Sequence, residues 1–296
     1  MTGFAAFAIV TVIHNSRDEL AALLDSVERH LDPRPRVIVV DSGSSDGGAG
    51  LARERGAELV DLGRNAGFGA GCNAGLELVR EPVTALVNPD VQLLDDGLAR
   101  LASNAAGRDA LVVPRLLNAD GSVQDSAHPL PGTPEALVPA LVPRRALPAR
   151  LRLRYEPWRS DAPREVGWAI AACLVARTDL LRRLGPFDPD AFLFYEDMEL
   201  CLHARRDGVP TLLVPDVRLR HLGGTSTDRA LGAQALDLHA RRRREVMAAQ
   251  GRSARILDDL AELLTHGLRA IARTLLRRDP EPARRRVRAL LRARRG

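Results

Sequence analysis

Over its first 115 residues the chain alternates apolar, β-rich runs with segments of helical periodicity, and no other feature restricts the fold so strongly. Residues 8–13 read as a buried strand, and residues 18–30 place Leu20, Leu23, Leu24 and Val27 on one helical face. Further strands fall at 36–40, 57–60, 83–87 and 110–113. Between them lie helices at 44–55, with Ser44 and Ser45 as N-caps, at 69–79 and at 95–105. Strands alternating with helices at this spacing predict an α/β domain whose mostly parallel central sheet is flanked by helices. Such sheets bind ligands at the carboxyl ends of their strands.

Four of those ends carry polar residues. The first strand ends in His14-Asn15-Ser16 and the second in Asp41-Ser-Gly-Ser-Ser-Asp46. The third is followed by the glycine-rich turn 63–73, whose N–H groups, with Arg64, suit a phosphate. The fourth ends in Asn88-Pro89-Asp90. An Asp after a strand also serves as a turn former or cap, and one glycine-rich turn is not diagnostic. Four such ends on one edge of one sheet point to a ligand.

Asn118-Ala-Asp-Gly121 reads as a turn, and residues 127–163, with eight prolines, as a long flexible surface loop. Order resumes at Val166, with helices at 178–184 and 196–206 and strands at 211–214 and 217–219. Phe192, Phe194 and Tyr195 lead into Glu196, Asp197 and Glu199. These acids either favour the positive end of the helix that follows, or one of them faces a cleft as a general base. His221 lies 24 residues after Asp197 and reads as a strand-end histidine or a metal ligand.

The three cysteines, Cys72, Cys173 and Cys201, are an odd number at wide spacing and match neither a disulfide framework nor a zinc site, which fits a reducing compartment. No apolar run approaches the ~20 residues of a membrane span. The opening apolar stretch lacks the flanks of a secretory leader and reads as the first strand. All 43 basic residues are arginine. Residues 1–227 carry 25 arginines against 30 acids, and residues 228–296 carry 18 against 8. This segregated charge calls for an anionic partner near the C-terminus.

Six ordered motifs over residues 8–227 resemble glycosyltransferase family 2. They are Val-Ile-His-Asn-Ser, Val-Val-Asp-Ser-Gly-Ser-Ser-Asp, Arg-Asn-Ala-Gly-Phe-Gly-Ala-Gly-Cys-Asn, Asn-Pro-Asp-Val, Phe-Tyr-Glu-Asp-Met-Glu-Leu-Cys and His-Leu-Gly-Gly. Within that family they look most like the bacterial rhamnosyltransferase branch of cell-wall and O-antigen assembly. The resemblance implies a GT-A fold over residues 1–227, with a nucleotide-binding half to residue 115 and an acceptor half from 116. Residues 228–296 form a helical, arginine-rich arm.

By position, the resemblance places Asp41 against the base, Asn15 and Thr11 in the nucleoside pocket, and Arg64 with Gly67, Gly69 and Asn73 along the nucleotide. Asn88 stands where many relatives have the first Asp of an Asp-x-Asp motif. Asp90 matches its last acid and His221 a histidine that some members use as a ligand, for Mn²⁺ or Mg²⁺. Asp197 matches the catalytic base, with Glu196 beside it. His14 replaces a common tyrosine, and the stretch 167–173 lacks a usual Ser-Gly pair. The implied reaction is a metal-dependent inverting transfer from a nucleotide diphosphate sugar to a polyprenyl-linked or other glycan acceptor.

Two other classes of protein share parts of this pattern. A sugar-nucleotide nucleotidyltransferase needs a glycine-rich basic loop after the first strand, and His14-Asn-Ser-Arg17 contains no glycine. A nucleic-acid-binding protein needs aromatic platforms among its basic residues, and the arm has none. Nucleic acid is therefore not expected as a partner. In the arm, Ile256, Leu257, Leu260, Leu263, Leu264, Leu268, Ile271 and Leu275 recur at helical spacing, which predicts one buried face. Arg241–Arg244 and the seven arginines of 284–295 predict attraction to anionic lipid. The expected location is cytoplasmic, peripheral on the inner face of the plasma membrane.

Overall fold

The computed structural model describes residues 4–142, 146–185, 187–188, 191–223 and 234–295. Gly224 of the last motif and the start of the arm at Asp228 lie outside them. The elements run β1 (Phe7–Ile13), α1 (Arg17–His30), β2 (Arg36–Asp41), α2 (Gly48–Glu54), β3 (Glu58–Asp61), α3 (Phe68–Leu78), β4 (Val83–Val87), β5 (Val91–Leu93), α4 (Gly97–Ala106) and β6 (Leu111–Leu117). They continue with β7 (Ala127–His128), α5 (Val138–Leu141), α6 (Ala149–Tyr155), β8 (Arg164–Val166), β9 (Trp168–Ala169), β10 (Cys173–Arg177), α7 (Thr178–Leu184), α8 (Glu196–Arg206) and β11 (Thr211–His221). Three helices close the chain: α9 (Ala235–Ala249), α10 (Arg252–Leu275) and α11 (Glu281–Ala293). Two compact units result. One comprises residues 1–127 and 158–226, the other residues 128–157 and 227–296.

The first unit is built on a sheet of order β3-β2-β1-β4-β10-β6-β11-β5, with β8 beside the first half of β11. Strands β3, β2, β1 and β4 are mutually parallel, while β10 enters antiparallel between β4 and β6. Every residue of β1 is buried, as both-face coverage requires. Its odd positions Phe7, Ile9 and Ile13 join the core with Leu20, Leu23, Leu24 and Val27 of α1. The even positions Val10 and Val12 face α3, where a Cβ on Gly71 or Gly75 would strike their methyl groups. These two glycines let helix and sheet approach closely.

Helix α2 begins at Gly48 rather than near Ser44. The Ser44 N–H is held by the Asp41 carboxylate (2.8 Å), the Ser45 N–H by Asn15 Oδ1 (2.9 Å), and Asp46 takes the Gly48 N–H (3.0 Å). The expected strands at 211–214 and 217–219 are one strand, β11. Its register against β6 shifts between Val214 and Arg218, around Pro215, which has no N–H to donate.

The second unit departs further from the sequence-based expectation. The proline-rich stretch contains a 3₁₀ turn at Pro134–Leu137 and helices α5 and α6. Pro134 and Pro139 fall in first turns and Pro148 at an N-cap, where a missing N–H costs little. The apolar stripe of α10 is not buried: Ile256, Leu260, Leu268, Ile271 and Leu275 are all exposed. Arginines of α9 decide which way α10 faces. Arg243 binds Asp258 through two N–H groups (both 2.8 Å) and reaches Glu262, while Arg244 pairs with Asp259. Asp258 is consequently 3% exposed. Burial opposes ionisation of Glu262, but Arg243, His266 and Arg286 outweigh it and hold its carboxyl down at about 2. Outside this network the unit has a small apolar core of Ala240, Ala289 and Ala293, with Leu236 and Leu290 against it.

Candidate active site

Parallel register carries the polar strand ends to one edge of the sheet, since Ile13 pairs with Asp41 and Asp41 with Asp61. The loops after β1, β2 and β3 are tied together. His14 Nδ1 meets the Ser42 carbonyl at 2.7 Å, Asn15 Oδ1 accepts from Ser45, and Ser42 Oγ accepts the Ala66 N–H at 2.8 Å. Asn15 takes a left-handed conformation (φ 51°) to do this. Asp41 is buried, with Oδ1 on Ser44 N–H, and the buried Thr11 hydroxyl has no partner among the described residues. Arg64 is exposed beside this group, with no ion pair to a described residue.

The glycine-rich turn serves contacts within the unit. Gly67 has φ 86°, and a Cβ there would collide with the carbonyl oxygen of Phe192. A Cβ on Gly69 would lie 3.0 Å from Phe187 Cβ. Asn73 donates to the Phe187 carbonyl (2.9 Å), and Phe68 meets the Phe187 ring edge-on at 5.8 Å. Gly67, Gly69 and Asn73 therefore fasten the start of α3 to the segment that leads into α8.

In that segment Phe194 (φ 76°) and Tyr195 (φ 62°) are consecutive left-handed residues, a strained arrangement for bulky side chains. Tyr195 lies 6.3 Å from the Trp168 ring. The strain turns the chain sharply into α8, at whose first turn stand Glu196 and Asp197. Successive helical residues point in different directions. Glu196 lines an open cavity of about 210 Å³ with Asp188, Glu199, His203 and Arg206. Asp197 instead accepts from Ala171 N–H (3.3 Å) and from Met198 N–H (2.7 Å). Burial lifts its carboxyl to about 6 although both N–H donors favour the charged form.

Ala172 connects this acid to the fourth strand end, because its carbonyl accepts the Asn88 N–H at 2.8 Å. The buried Asn88 Oδ1 has no partner among the described residues. Two residues on, Asp90 Oδ1 lies 3.3 Å from His221 Nε2, and Asp90 Oδ2 accepts the Gly223 N–H at 3.0 Å. His221 Nδ1 meets Gln124 Oε1 at 2.8 Å, and Gln124 Nε2 donates to Asn118 Oδ1 at 3.0 Å. An amide oxygen only accepts, so Nδ1 carries a proton toward Gln124, and Nε2 is the nitrogen turned to the Asp90 carboxylate. A carboxylate and an imidazole nitrogen turned to each other, with the Asn88 amide oxygen close by in sequence, are ligand types that suit a cation that completes its shell from a bound anion and water. No group of three or more His, Cys, Asp or Glu suited to a metal occurs among the described residues.

The sequence reading missed Gln124, Ala171 and Trp168. The signal for Gln124 is the 118–121 turn, which folds the chain back so that Gln124 N–H bonds the Leu116 carbonyl beside β11.

A mostly parallel sheet with its polar strand ends gathered on one edge is the architecture of a GT-A-like fold, and known structures share it. The mannosyltransferase PcManGT of Pyrobaculum calidifontis, solved with GDP-Man and Mn²⁺, superposes with a TM-score of 0.62 at 16% identity, over 99% of this chain and 86% of that one. GalNAc-T7 with UDP, GalNAc and Mn²⁺ gives 0.58 at 14% identity over 84% of this chain, which spans 52% of its length. Residues 8–157 match the family Glycosyl transferase family 2, and the chain belongs to it. An N-acetylglucosaminyl-diphospho-decaprenol L-rhamnosyltransferase of Mycobacterium tuberculosis is 27% identical over 75% of this chain and 77% of its own. A low-salt glycan biosynthesis hexosyltransferase, Agl10 of Haloferax volcanii, is 24% identical over 68% and 62%.

Proposed function

We infer that this protein moves a sugar, with inversion, from a nucleoside diphosphate donor to a hydroxyl of a lipid-diphosphate-linked glycan. The observation that carries the reading is Asp197, a desolvated carboxylate raised to about 6 on a strained turn at the start of α8. A base of that strength is largely ionised at neutral pH yet still takes a proton. The M. tuberculosis relative supports rhamnose as the sugar and a polyprenyl-linked acceptor, and the reading extends to cell-wall or surface polysaccharide assembly.

In this reading Asp41, Asn15 and Thr11 receive the nucleoside, and Arg64 and the turn through Gly67, Gly69 and Asn73 border the diphosphate. Asp90 and His221, with Asn88 as a neutral oxygen, hold Mn²⁺ or Mg²⁺, which when bound neutralises the leaving diphosphate. Asp197 removes the acceptor proton as the hydroxyl attacks the face of the sugar opposite that leaving group. Glu196 supports the start of α8. Residues 1–227 carry donor and acceptor halves, and the arm from 228 holds the enzyme on the inner membrane face near its lipid-linked acceptor. No described helix is long and apolar enough to cross a membrane.

The test is a thermal-shift screen of nucleoside diphosphate sugars with and without Mn²⁺, followed by transfer to a polyprenyl-diphosphate glycan with product anomeric configuration read by NMR. One donor should raise Tm in a Mn²⁺-dependent way and give an inverted product. A retained configuration, or no response to any donor, would remove the reading.

A further inference from the structure

One helix of the second unit, α10, encloses acids and exposes much of its apolar stripe. Its enclosed side carries acids, its exposed side Ile256, Leu260, Leu268, Ile271 and Leu275, and Leu257, Leu263 and Leu264 are half-buried. Asp258, Asp259 and Glu262 are enclosed and engaged by Arg243 and Arg244. The arginines that composition nominates for lipid are largely engaged too: Arg242 by Glu245, Arg285 and Arg288 by Glu281, and Arg292 by Asp237.

What remains on the outside is a different surface. Ile256, Leu260, Leu268, Ile271, Leu275 and Leu276 are exposed, Ile271 by 57% and Leu275 by 78%. From Leu263 to Arg278 the chain carries four arginines and no acid. Arg269, Arg277 and Arg278 are exposed and have no ion pair with a described residue. At 1.5 Å per residue the 24-residue helix is about 36 Å long, with exposed apolar residues at Ile256 and Leu260 toward its start and from Leu268 to Leu275 at its end.

We propose that this outer face of α10 lies in the plane of an anionic bilayer surface, with Leu268, Ile271, Leu275 and Leu276 among the acyl chains and Arg269, Arg277 and Arg278 on lipid phosphates. Charge selects this occupant over a second copy of the chain. From Leu263 to Arg278 the exposed charges are arginines, with Asp279 the next residue along, so pairing the face with itself would set arginine against arginine over most of its length, whereas anionic headgroups complement it. An amphipathic helix with a leucine face and arginine flanks is the form that such in-plane binding takes. The proposal rests on the membrane-proximal reading above and names the surface responsible.

The experiment uses the full chain, with vesicles of phosphatidylcholine alone or with phosphatidylglycerol, read by flotation at low and high salt. The wild type should float with the anionic vesicles at low salt, and Ile271→Glu/Leu275→Glu should reduce the bound fraction at least tenfold while leaving circular dichroism unchanged. Arg269→Gln/Arg277→Gln/Arg278→Gln should remove the preference for anionic lipid. A Leu275→Trp variant should shift its emission to the blue on binding and be quenched by brominated acyl chains. Flotation that the Glu variant leaves intact would overturn this surface while keeping membrane attachment. No flotation of the wild type at all would overturn both. A wild-type dimer in light scattering that the Glu variant converts to monomer, without vesicle binding, would make the face a contact between copies and overturn the proposal.

Discussion

His221 Nε2 lies 3.3 Å from Asp90 Oδ1, while its Nδ1 is fixed by Gln124, itself held by Asn118. Gln124 thereby holds the ring with Nε2 turned toward the carboxylate. Changing Gln124 to Leu should weaken Mn²⁺ binding by about 10- to 100-fold, the usual effect of removing the hydrogen-bond partner of a ligating imidazole. Mn²⁺ titration followed by electron paramagnetic resonance reads this directly. Chelator should abolish transfer, and Asp90→Ala should weaken donor diphosphate binding more than nucleoside binding. Equal Mn²⁺ affinity in wild type and the Gln124→Leu variant would show that Gln124 has no part in the site.

Asp197 sets activity against stability. Asp197→Asn should lower turnover at least ~10²-fold with donor binding near normal. The same change removes a carboxylate whose ionisation burial opposes, so at pH 8 it should stabilise the fold on the order of 1–2 kcal/mol, a few degrees in Tm. The sign follows from the shift. A carboxyl raised from 3.8 to about 6 contributes stability below about 4, and that contribution is lost as pH rises through about 6. A dead but less stable variant, at equal donor affinity, would point to a structural role. Glu196→Gln is the control for the neighbouring acid.

The pH profile follows from the same group. Turnover should fall tenfold per pH unit below about 6, as the base is protonated, and level off above it. The limb should persist in Glu196→Gln. An acid limb that disappears in Glu196→Gln would assign the titration to Glu196.

The backbone alternation of the first unit is legible in the chain because both-face burial leaves continuous apolar runs, as in β1, and one-face burial leaves the helical period of α1. The polar strand ends are legible for the same reason, since parallel strands fix which edge they share. The orientation of α10 is not: a leucine stripe signals only that a face is apolar, and which face turns inward depends on Arg243 and Arg244 from another helix. Gln124 is hidden because its part depends on a turn that brings it beside a histidine 97 residues away. In the glycine-rich turn the close packing of Gly67 against Phe192 is equally invisible, since it arises from a segment far along the chain.

Glu262 tests the polar interior of the second unit. Its carboxyl is held at about 2, so its contribution to stability is present above about 4.5 and is lost as pH falls through about 2. Glu262→Gln should therefore destabilise the protein at pH 7 by about 2 kcal/mol, and the deficit should vanish near pH 2. Urea unfolding at several pH values measures it. A constant deficit across that range would mean that packing, not charge, is what the residue supplies.

The last expectation concerns Gly67. Its φ of 86° is unfavourable for any residue with a Cβ, and the added carbon would strike the Phe192 carbonyl, two residues before the left-handed pair Phe194–Tyr195. Gly67→Ala should cost ~1–3 kcal/mol in stability. It should also lower turnover more than donor affinity, because relief of the clash moves the segment that aims Asp197. Gly50→Ala is the matched control: Gly50 is helical, and a Cβ there meets nothing within 4 Å. That substitution should stabilise the protein by ~0.4–1 kcal/mol and leave turnover unchanged. Denaturant melts and single-turnover rates on the two variants together separate backbone strain at Gly67 from any general effect of removing a glycine. If both variants behave alike, the close approach to Phe192 has no part in holding the catalytic turn.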